Sequence, residues 1–317
     1  MKVGLIGGVN STRVTLEALI KYQFDIALVM GYEPKDTAIV SGFSDLSTLC
    51  HKHNLTYNGF NKINDHVTEI SNADLDVLFV VGLSQLVCNE IIDAPKIGVV
   101  GFHPTDLPKG RGRAPIAWLV ANCEAGAASF FVINEVVDSG PILVKERFTV
   151  KCDDDAADVE AKILGAMKVA LDRWLPQLKV GKWDPVEQDH SQATEYGTRK
   201  PDDGLIDFSA DAEKLDRLIK AAAPPHPGAF TYHKHKHFVI IGSRLETAFK
   251  IQGALGRVLK VAGEQLLVQT GDGLIWLQPQ RGQDKVLVGE RLGYSSQIEI
   301  NKIYQQLESV KKYLKMA

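Results

Sequence analysis

Two stretches of the sequence concentrate residues able to do chemistry. The first reads Gly101-Phe102-His103-Pro104-Thr105-Asp106-Leu107-Pro108-Lys109-Gly110-Arg111-Gly112-Arg113-Ala114-Pro115. Histidine exchanges protons near neutral pH, and His103 stands in a loop stiffened by prolines on both sides. A His-Pro pair alone reads as a structural turn. The glycine–arginine run behind it changes the balance, because guanidinium forks in a glycine loop suit an anion. Arg111 and Arg113 are therefore candidates to meet an anion, and Thr105 in the same loop is a further substrate-side candidate. The second stretch is Val136-Val137-Asp138-Ser139-Gly140-Pro141. Asp138 could orient a histidine and tune its proton affinity, or be a plain turn residue before Ser-Gly. Paired, the two stretches suit acid–base chemistry by a histidine with a carboxylate to orient it.

Other constellations carry weaker signals. Gly7-Gly8-Val9-Asn10-Ser11-Thr12-Arg13 joins a first strand to a first helix, where a helix N-terminus favours phosphate. That makes Gly8, Asn10, Ser11, Thr12 and Arg13 substrate-side candidates, although the run is neither G-x-G-x-x-G nor a Walker loop. Met30-Gly31-Tyr32 ends the second strand without the acidic residue that a dinucleotide-dependent oxidoreductase would use there. His233-Lys234-His235-Lys236-His237 has period-two histidines, yet its lysines favour a solvated hairpin turn over a metal site. Lys311, Lys312 and Lys315 read as a solvated helix end. Cys50, Cys88, Cys123 and Cys152 are dispersed with no C-x-x-C pair, which suits a reducing cytosol. No metal is expected.

The elements that must position these residues follow an α/β pattern. Val3–Ile6, Ile26–Met30, Val77–Val81 and Ile97–Val100 are apolar runs of strand length, with helical periodicity over Thr12–Tyr22 and Leu46–His53 between them. Continuous apolar strands separated by helices predict a mostly parallel, Rossmann-like sheet covered on both faces. His103 then lies at a strand's carboxyl end, where ligands bind in such sheets. Strands over Ala128–Val136 and Pro141–Val150 and a long helix over Ala156–Leu178 complete a domain at residues 1–180. Residues 181–204 are polar and aperiodic and read as a linker. Residues 205–317 hold a helix (Asp211–Ala222), short glycine-punctuated strands and a final amphipathic helix (Gln297–Lys315). The strands, Phe238–Ile241, Gly256–Ala262, Gln265–Thr270 and Leu274–Gln278, predict a small β-barrel of OB-like kind or a sandwich.

Bulk properties remove whole classes of function. With 317 residues, 45% hydrophobic and 24% charged, and a net charge of −3, the chain projects no field for nucleic acid or anionic membrane. No apolar run approaches the roughly 18 residues of a membrane span, so a soluble, cytoplasmic protein is expected. The opening Met1–Gly8 reads as a buried strand rather than a signal peptide.

His103-Pro104, Leu107-Pro108, Arg111-Gly112 and the distal Val137-Asp138-Ser139-Gly140, in this order, resemble the folate-dependent formyltransferases, the methionyl-tRNA formyltransferase-like group. The likeness covers essentially the whole chain. Arg111–Pro115 and Pro225-His226-Pro227-Gly228-Ala229-Phe230-Thr231-Tyr232 are most similar to members that formylate nucleotide-linked amino sugars. The resemblance implies formyl transfer from 10-formyltetrahydrofolate to a sugar amine, in bacterial surface polysaccharide (lipopolysaccharide) synthesis, with a homodimer open. It makes His103 and Asp138 catalytic and puts folate against Gly82, Gln85, Leu86, Val87, Val136 and Val137. The family's third catalytic residue, an Asn two positions before the His, is here Gly101. Loss of one oxyanion donor costs about 10²–10³ in rate, which keeps a non-catalytic folate or nucleotide binder open. Formylation of methionyl-tRNA is the other alternative, disfavoured because residues 205–317 carry only 16 Lys and Arg against 11 Asp and Glu.

Overall fold

The computed structural model describes residues 1–37, 40–294 and 296–316, with side chains through residue 314. The Lys315 side chain, part of the expected basic helix end, lies outside the described residues. The chain divides into two compact units, Met1–Arg199 with Pro224–Pro227, and Lys200–Ala223 with Gly228–Ala317. Among the described residues no helix is long and apolar enough to cross a membrane.

The first unit comprises β1 (Lys2–Gly7), α1 (Asn10–Lys21), β2 (Asp25–Tyr32), α2 (Ser47–Lys52), β3 (Tyr57–Phe60), α3 (Val67–Asn72), β4 (Val77–Val80), α4 (Asn89–Ile92) and β5 (Gly98–His103). It continues with β6 (Arg111–Gly112), α5 (Pro115–Asn122), β7 (Gly126–Val132), β8 (Ile142–Phe148), α6 (Ala156–Lys179) and β9 (Glu195–Tyr196). Seven strands form a sheet in the order β3-β2-β1-β4-β5-β7-β8. The first five pair in parallel, and β7 and β8 add an antiparallel edge. All four residues of β4 are buried, as an apolar run covered on both faces must be. The order reverses at β1, which lies between β2 and β4, so the loops after β1 and β4 leave in opposite directions and open a crevice between them.

α6 covers the sheet with Val159, Ile163, Met167, Ala170, Trp174 and Leu178, a stripe at helical spacing. Asp155 starts it by accepting from the Ala157 and Asp158 N–H groups, at 2.9 and 3.0 Å. Trp174 meets both Phe79 and Phe130.

Three departures from the sequence expectations stand out. The strand expected to reach Val136 stops at Val132. Asn134 Oδ1 accepts from the Val136 N–H and the Ser139 hydroxyl, at 3.2 and 3.0 Å, and curls the chain into a loop. The segment read as a linker is in part bound to the first unit: Val186 and Ile142 exchange backbone bonds of 2.9 and 2.7 Å, and β9 pairs in parallel with β6. Its polarity reflects hydrogen bonding rather than a free chain. Cys123 and Cys152, remote in sequence, bring their Sγ atoms to 2.6 Å.

The second unit comprises α7 (Ala212–Ala222), β10 (Ala229–His233), β11 (Lys236–Glu246), β12 (Val258–Ala262), β13 (Gln265–Gln269), β14 (Leu274–Pro279) and α8 (Ser296–Met316). Its strands form one antiparallel five-stranded sheet, β10-β11-β14-β13-β12. Leu215 and Ile219 of α7 pack on Phe238, Ile240, Leu266, Val268, Ile275 and Leu277. The histidine run is a hairpin: Lys234 and His235, at φ +48° and +67°, form its two-residue turn. His233 is buried against Glu290 at 3.1 Å, while His237 belongs to β11.

Candidate active site

β5 ends on His103, at the same edge where β1 and β4 open into their loops. Side chains alternate along a strand. Phe102 meets Phe130, with ring centroids 5.1 Å apart, so Gly101 and His103 share the opposite face. His103 is buried, and its Nε2 lies 2.8 Å from the Gly110 carbonyl. A carbonyl can only accept, so Nε2 carries the proton and Nδ1 is the basic nitrogen. Nδ1 faces Asp138 Oδ2 at 3.5 Å, too far for a strong hydrogen bond but close enough for the carboxylate to favour a proton arriving there. Burial pushes the His103 pKa below the ordinary value, and the Asp138 charge and the Gly110 carbonyl push back. Burial thus favours the neutral ring, with its lone pair turned toward the Asp138 carboxylate.

Asp138 sits in the left-handed region at φ +54°, which aspartate tolerates better than most residues. The Gly112 N–H donates to its Oδ2 at 2.9 Å. Gln188 Nε2 donates to the Asp138 and Gly140 carbonyls, at 2.9 and 2.7 Å. Two glycines are dictated by this corner. Gly112, at φ +101°, would bring a Cβ to 2.6 Å from the Tyr196 carbonyl, and Gly140 would bring one to 1.7 Å from that of Val132.

Arg111, read from the sequence as a phosphate ligand, is buried inside this frame. Its Nη2 donates to Gln188 Oε1 at 2.7 Å and meets His190 Nδ1 at 3.0 Å. It braces the glutamine that holds the Asp138 turn. Arg113 is exposed, and its Nη1 donates to the Ser84 carbonyl at 3.2 Å. Residues 111–113 thus tie the loop after β4 to the loop of Asp138. Thr105 is buried, its carbonyl accepting from Ser129 Oγ at 2.7 Å.

A side chain at Gly101 would crowd its neighbours. A Cβ there would lie 2.8 Å from both Ile133 Cγ1 and Phe131 Cζ. Phe131 pairs with Gly101 across the β5–β7 ladder and takes the space on that face.

In the loop after β4, Gly82 packs against Val9 and Ser11. Gln85 accepts from the Ile63 N–H at 3.0 Å and donates to the Asn61 carbonyl at 2.7 Å, so its side chain fastens the loop to its neighbour. Val87 packs into the core, whereas Leu86, Val136 and Val137 are exposed. In the loop after β1, Thr12 is buried: its hydroxyl donates to the Val81 carbonyl at 2.7 Å and accepts from the Gly8 and Val9 N–H groups. Gly8 packs on Tyr32, Asn10 donates to Glu160 at 2.9 Å, and Arg13 pairs with Glu17 at 3.0 Å. Carboxylates beside Asn10 and Arg13 reduce that loop's appeal to phosphate. Sequence reasoning missed Gln188, His190, Gly110, Ser84 and Tyr196. The first two and Tyr196 fall in the polar segment, and the others act through backbone carbonyls.

A family model described as formyl transferase matches residues 4–175, and one described as formyl transferase, C-terminal domain, matches residues 199–289. The chain belongs to the formyl transferase family. This formyltransferase also resembles solved structures at low identity. One is an N-formyltransferase from Helicobacter canadensis in complex with folinic acid and dTDP-3-aminofucose (17% identity, 88% of this chain and 100% of that one, TM-score 0.67). Another is WlaRD, a sugar 3N-formyl transferase in the presence of dTDP and 5-N-formyl-THF (17%, 89% and 99%, TM-score 0.65). A third is a methionyl-tRNA formyltransferase from Clostridium thermocellum (17%, 78% and 95%, TM-score 0.56).

Proposed function

We propose that this formyltransferase moves the formyl group of 10-formyltetrahydrofolate to the primary amine of a nucleotide-linked amino sugar, serving surface polysaccharide assembly in a bacterial cytoplasm. The observation that carries the reading is the fixed tautomer of His103, with its basic Nδ1 facing Asp138. An amine that attacks a formyl carbon must lose a proton. His103 Nδ1 accepts it, and Asp138 stabilises the imidazolium that results. The protonated ring then donates to the formyl oxygen as charge develops there, or returns the proton to the leaving nitrogen. General acid–base help of this kind is worth about 10²–10⁴ in rate.

The residues present fit a folate. Leu86, Val136 and Val137 offer exposed apolar side chains for a flat ring system, and the backbone of residues 82–87 offers donors and acceptors. The folate supplies the activated formyl group when bound. Arg113 is an exposed cation suited to a substrate phosphate, with the backbone N–H groups of the α1 N-terminus as a second contribution. With Phe131 and Ile133 over Gly101, no side-chain amide serves the developing oxyanion, and the imidazolium takes that part. The sugar 3N-formyl transferase and the Helicobacter canadensis enzyme, with dTDP or dTDP-3-aminofucose bound, support the substrate class.

Incubation with 10-formyltetrahydrofolate and a panel of nucleotide-linked 3-amino and 4-amino sugars, read by mass spectrometry, tests the proposal. At least one sugar should gain a formyl group. Transfer to methionyl-tRNA with every sugar inert would overturn the substrate class, and binding of both ligands without transfer would make the protein a binder.

A further inference from the structure

α8 lies beyond both matched family segments, which end at residue 289, and every described side chain from Ile300 to Leu314 on it is exposed. Its apolar residues are not scattered. Ile300, Ile303, Leu307, Val310 and Leu314 recur at steps of three and four, the a and d positions of a heptad. Their fractional exposure runs from 47% to 68%. Charged residues are absent from this stripe. Lys302, Glu308 and Lys312 occupy the outward c, b and f positions, and Lys302 and Lys311 pair along the helix with Glu299 and Glu308, at 2.9 and 2.8 Å.

We propose that α8 is a self-association helix, whose a/d stripe packs against the α8 of other copies of this chain. Three features select a second copy over an unrelated partner. A strict a/d alternation is complementary to itself, each knob entering a hole made by the same residue types. The flanking e and g positions hold Tyr304 and Lys311, and Glu299, Gln306 and Tyr313, so neither parallel nor antiparallel pairing is forced to juxtapose like charges in every heptad. The stripe from Ile300 to Leu314 spans about 21 Å, roughly two heptads, the scale of a short helix seam rather than of a peptide groove. Leu307 and Leu314 at a, with Ile303 and Val310 at d, are the residue choice that favours more than two strands over a dimer. Tyr304 at e and Tyr313 at g widen the apolar face in the same sense.

The test is the solution mass of the full chain by light scattering and sedimentation. Wild type should show a multiple of 34.8 kDa, three- or four-fold by the a/d choice, and a two-fold mass would equally support the seam provided the variant below dissolves it. The double variant Ile303→Asp with Leu307→Asp should fall to 34.8 kDa while keeping its thermal unfolding profile and its far-UV spectrum outside the α8 contribution. Lys302→Glu, on the outward face, should leave the mass unchanged. A single-chain mass for wild type, or a multimeric mass that survives the double variant, overturns the proposal.

Discussion

The loops after β5 and after β1 both invited a functional reading, and they are built in opposite ways. After β5, the Gly110 carbonyl accepts from His103 Nε2, and hydrogen bonds from Gly112, Gln188 and Arg111 build a frame in which His103 Nδ1 faces a carboxylate. After β1, the Thr12 hydroxyl, Asn10 Nδ2 and Arg13 Nε meet partners within the fold, at Val81, Glu160 and Glu17. The first loop holds its neighbours still so that one atom stays available. The second turns several of its side chains toward partners within the fold. A polar residue at a strand's carboxyl end is thus no sign of chemistry until its partners are known.

The widest separation between the loops comes from replacing the available nitrogen. His103→Asn should lower turnover by about 10²–10⁴ with folding and folate binding retained. A rate within tenfold of wild type would remove His103 from the mechanism. The carboxylate sharpens the same point through pH. Burial holds the His103 pKa below about 6.5, so turnover should fall on the acid side as Nδ1 becomes protonated. The Asp138 charge opposes that depression, so Asp138→Asn should move the acid limb to lower pH while slowing the reaction. An unmoved limb in the pH–rate profile would separate the two residues. Stability carries the same sign: above about 6.5 the buried neutral ring is without penalty, and as pH falls toward the depressed folded value the unfolded chain takes up the proton first. His103→Gln should therefore flatten the acid-side loss of the urea midpoint.

Gly101→Asn should lose about 1–3 kcal/mol to overpacking against Phe131 and Ile133. It should not raise the rate, and a gain in turnover would show that the amide finds room. The smallest effects belong to the loop after β1. Thr12→Val strands two backbone N–H groups and should lower stability by about 1–3 kcal/mol with little change in KM. Arg13→Ala, on an exposed ion pair, should stay within about 0.5 kcal/mol. A clear rise in KM for the sugar nucleotide in Arg13→Ala would give that loop a direct part in phosphate binding and break the contrast.

Elements with strong periodicity were legible in the sequence. The parallel strands β1, β2, β4 and β5, the stripe of α6 and the hairpin of Lys234 and His235 all announce themselves through apolar spacing or turn chemistry. That His103 and Asp138 lie at or beyond strand ends was legible from their proline and glycine neighbours, and the structure brings the two side chains together at 3.5 Å. The frame around them was not legible. Gln188 works through two carbonyls, and nothing in its local sequence marks a glutamine that reaches back to residues 138 and 140. Arg111 carried the expected chemistry but met an internal partner first, since a buried guanidinium beside Gln188 and His190 is not free for solvent phosphate. β7 stopped early because Asn134 competes for the backbone, a local effect that hydrophobic spacing does not record.

The ribbon of β6 and β9 carries a consequence for the order in which the chain is made. Arg111 pairs with Glu195 and Gly112 with Tyr196, so the corner holding Asp138 is closed by residues synthesised long after His103. Such distant pairing requires a long loop to close before it is rewarded. A chain emerging from the ribosome can assemble β1 to β5 early, but it lacks Gln188 and Tyr196 until most of the first unit has been translated. Competence to transfer therefore arrives after compaction, and a nascent or truncated chain ending near residue 180 should be folded in its sheet yet slack at the corner that holds Asp138.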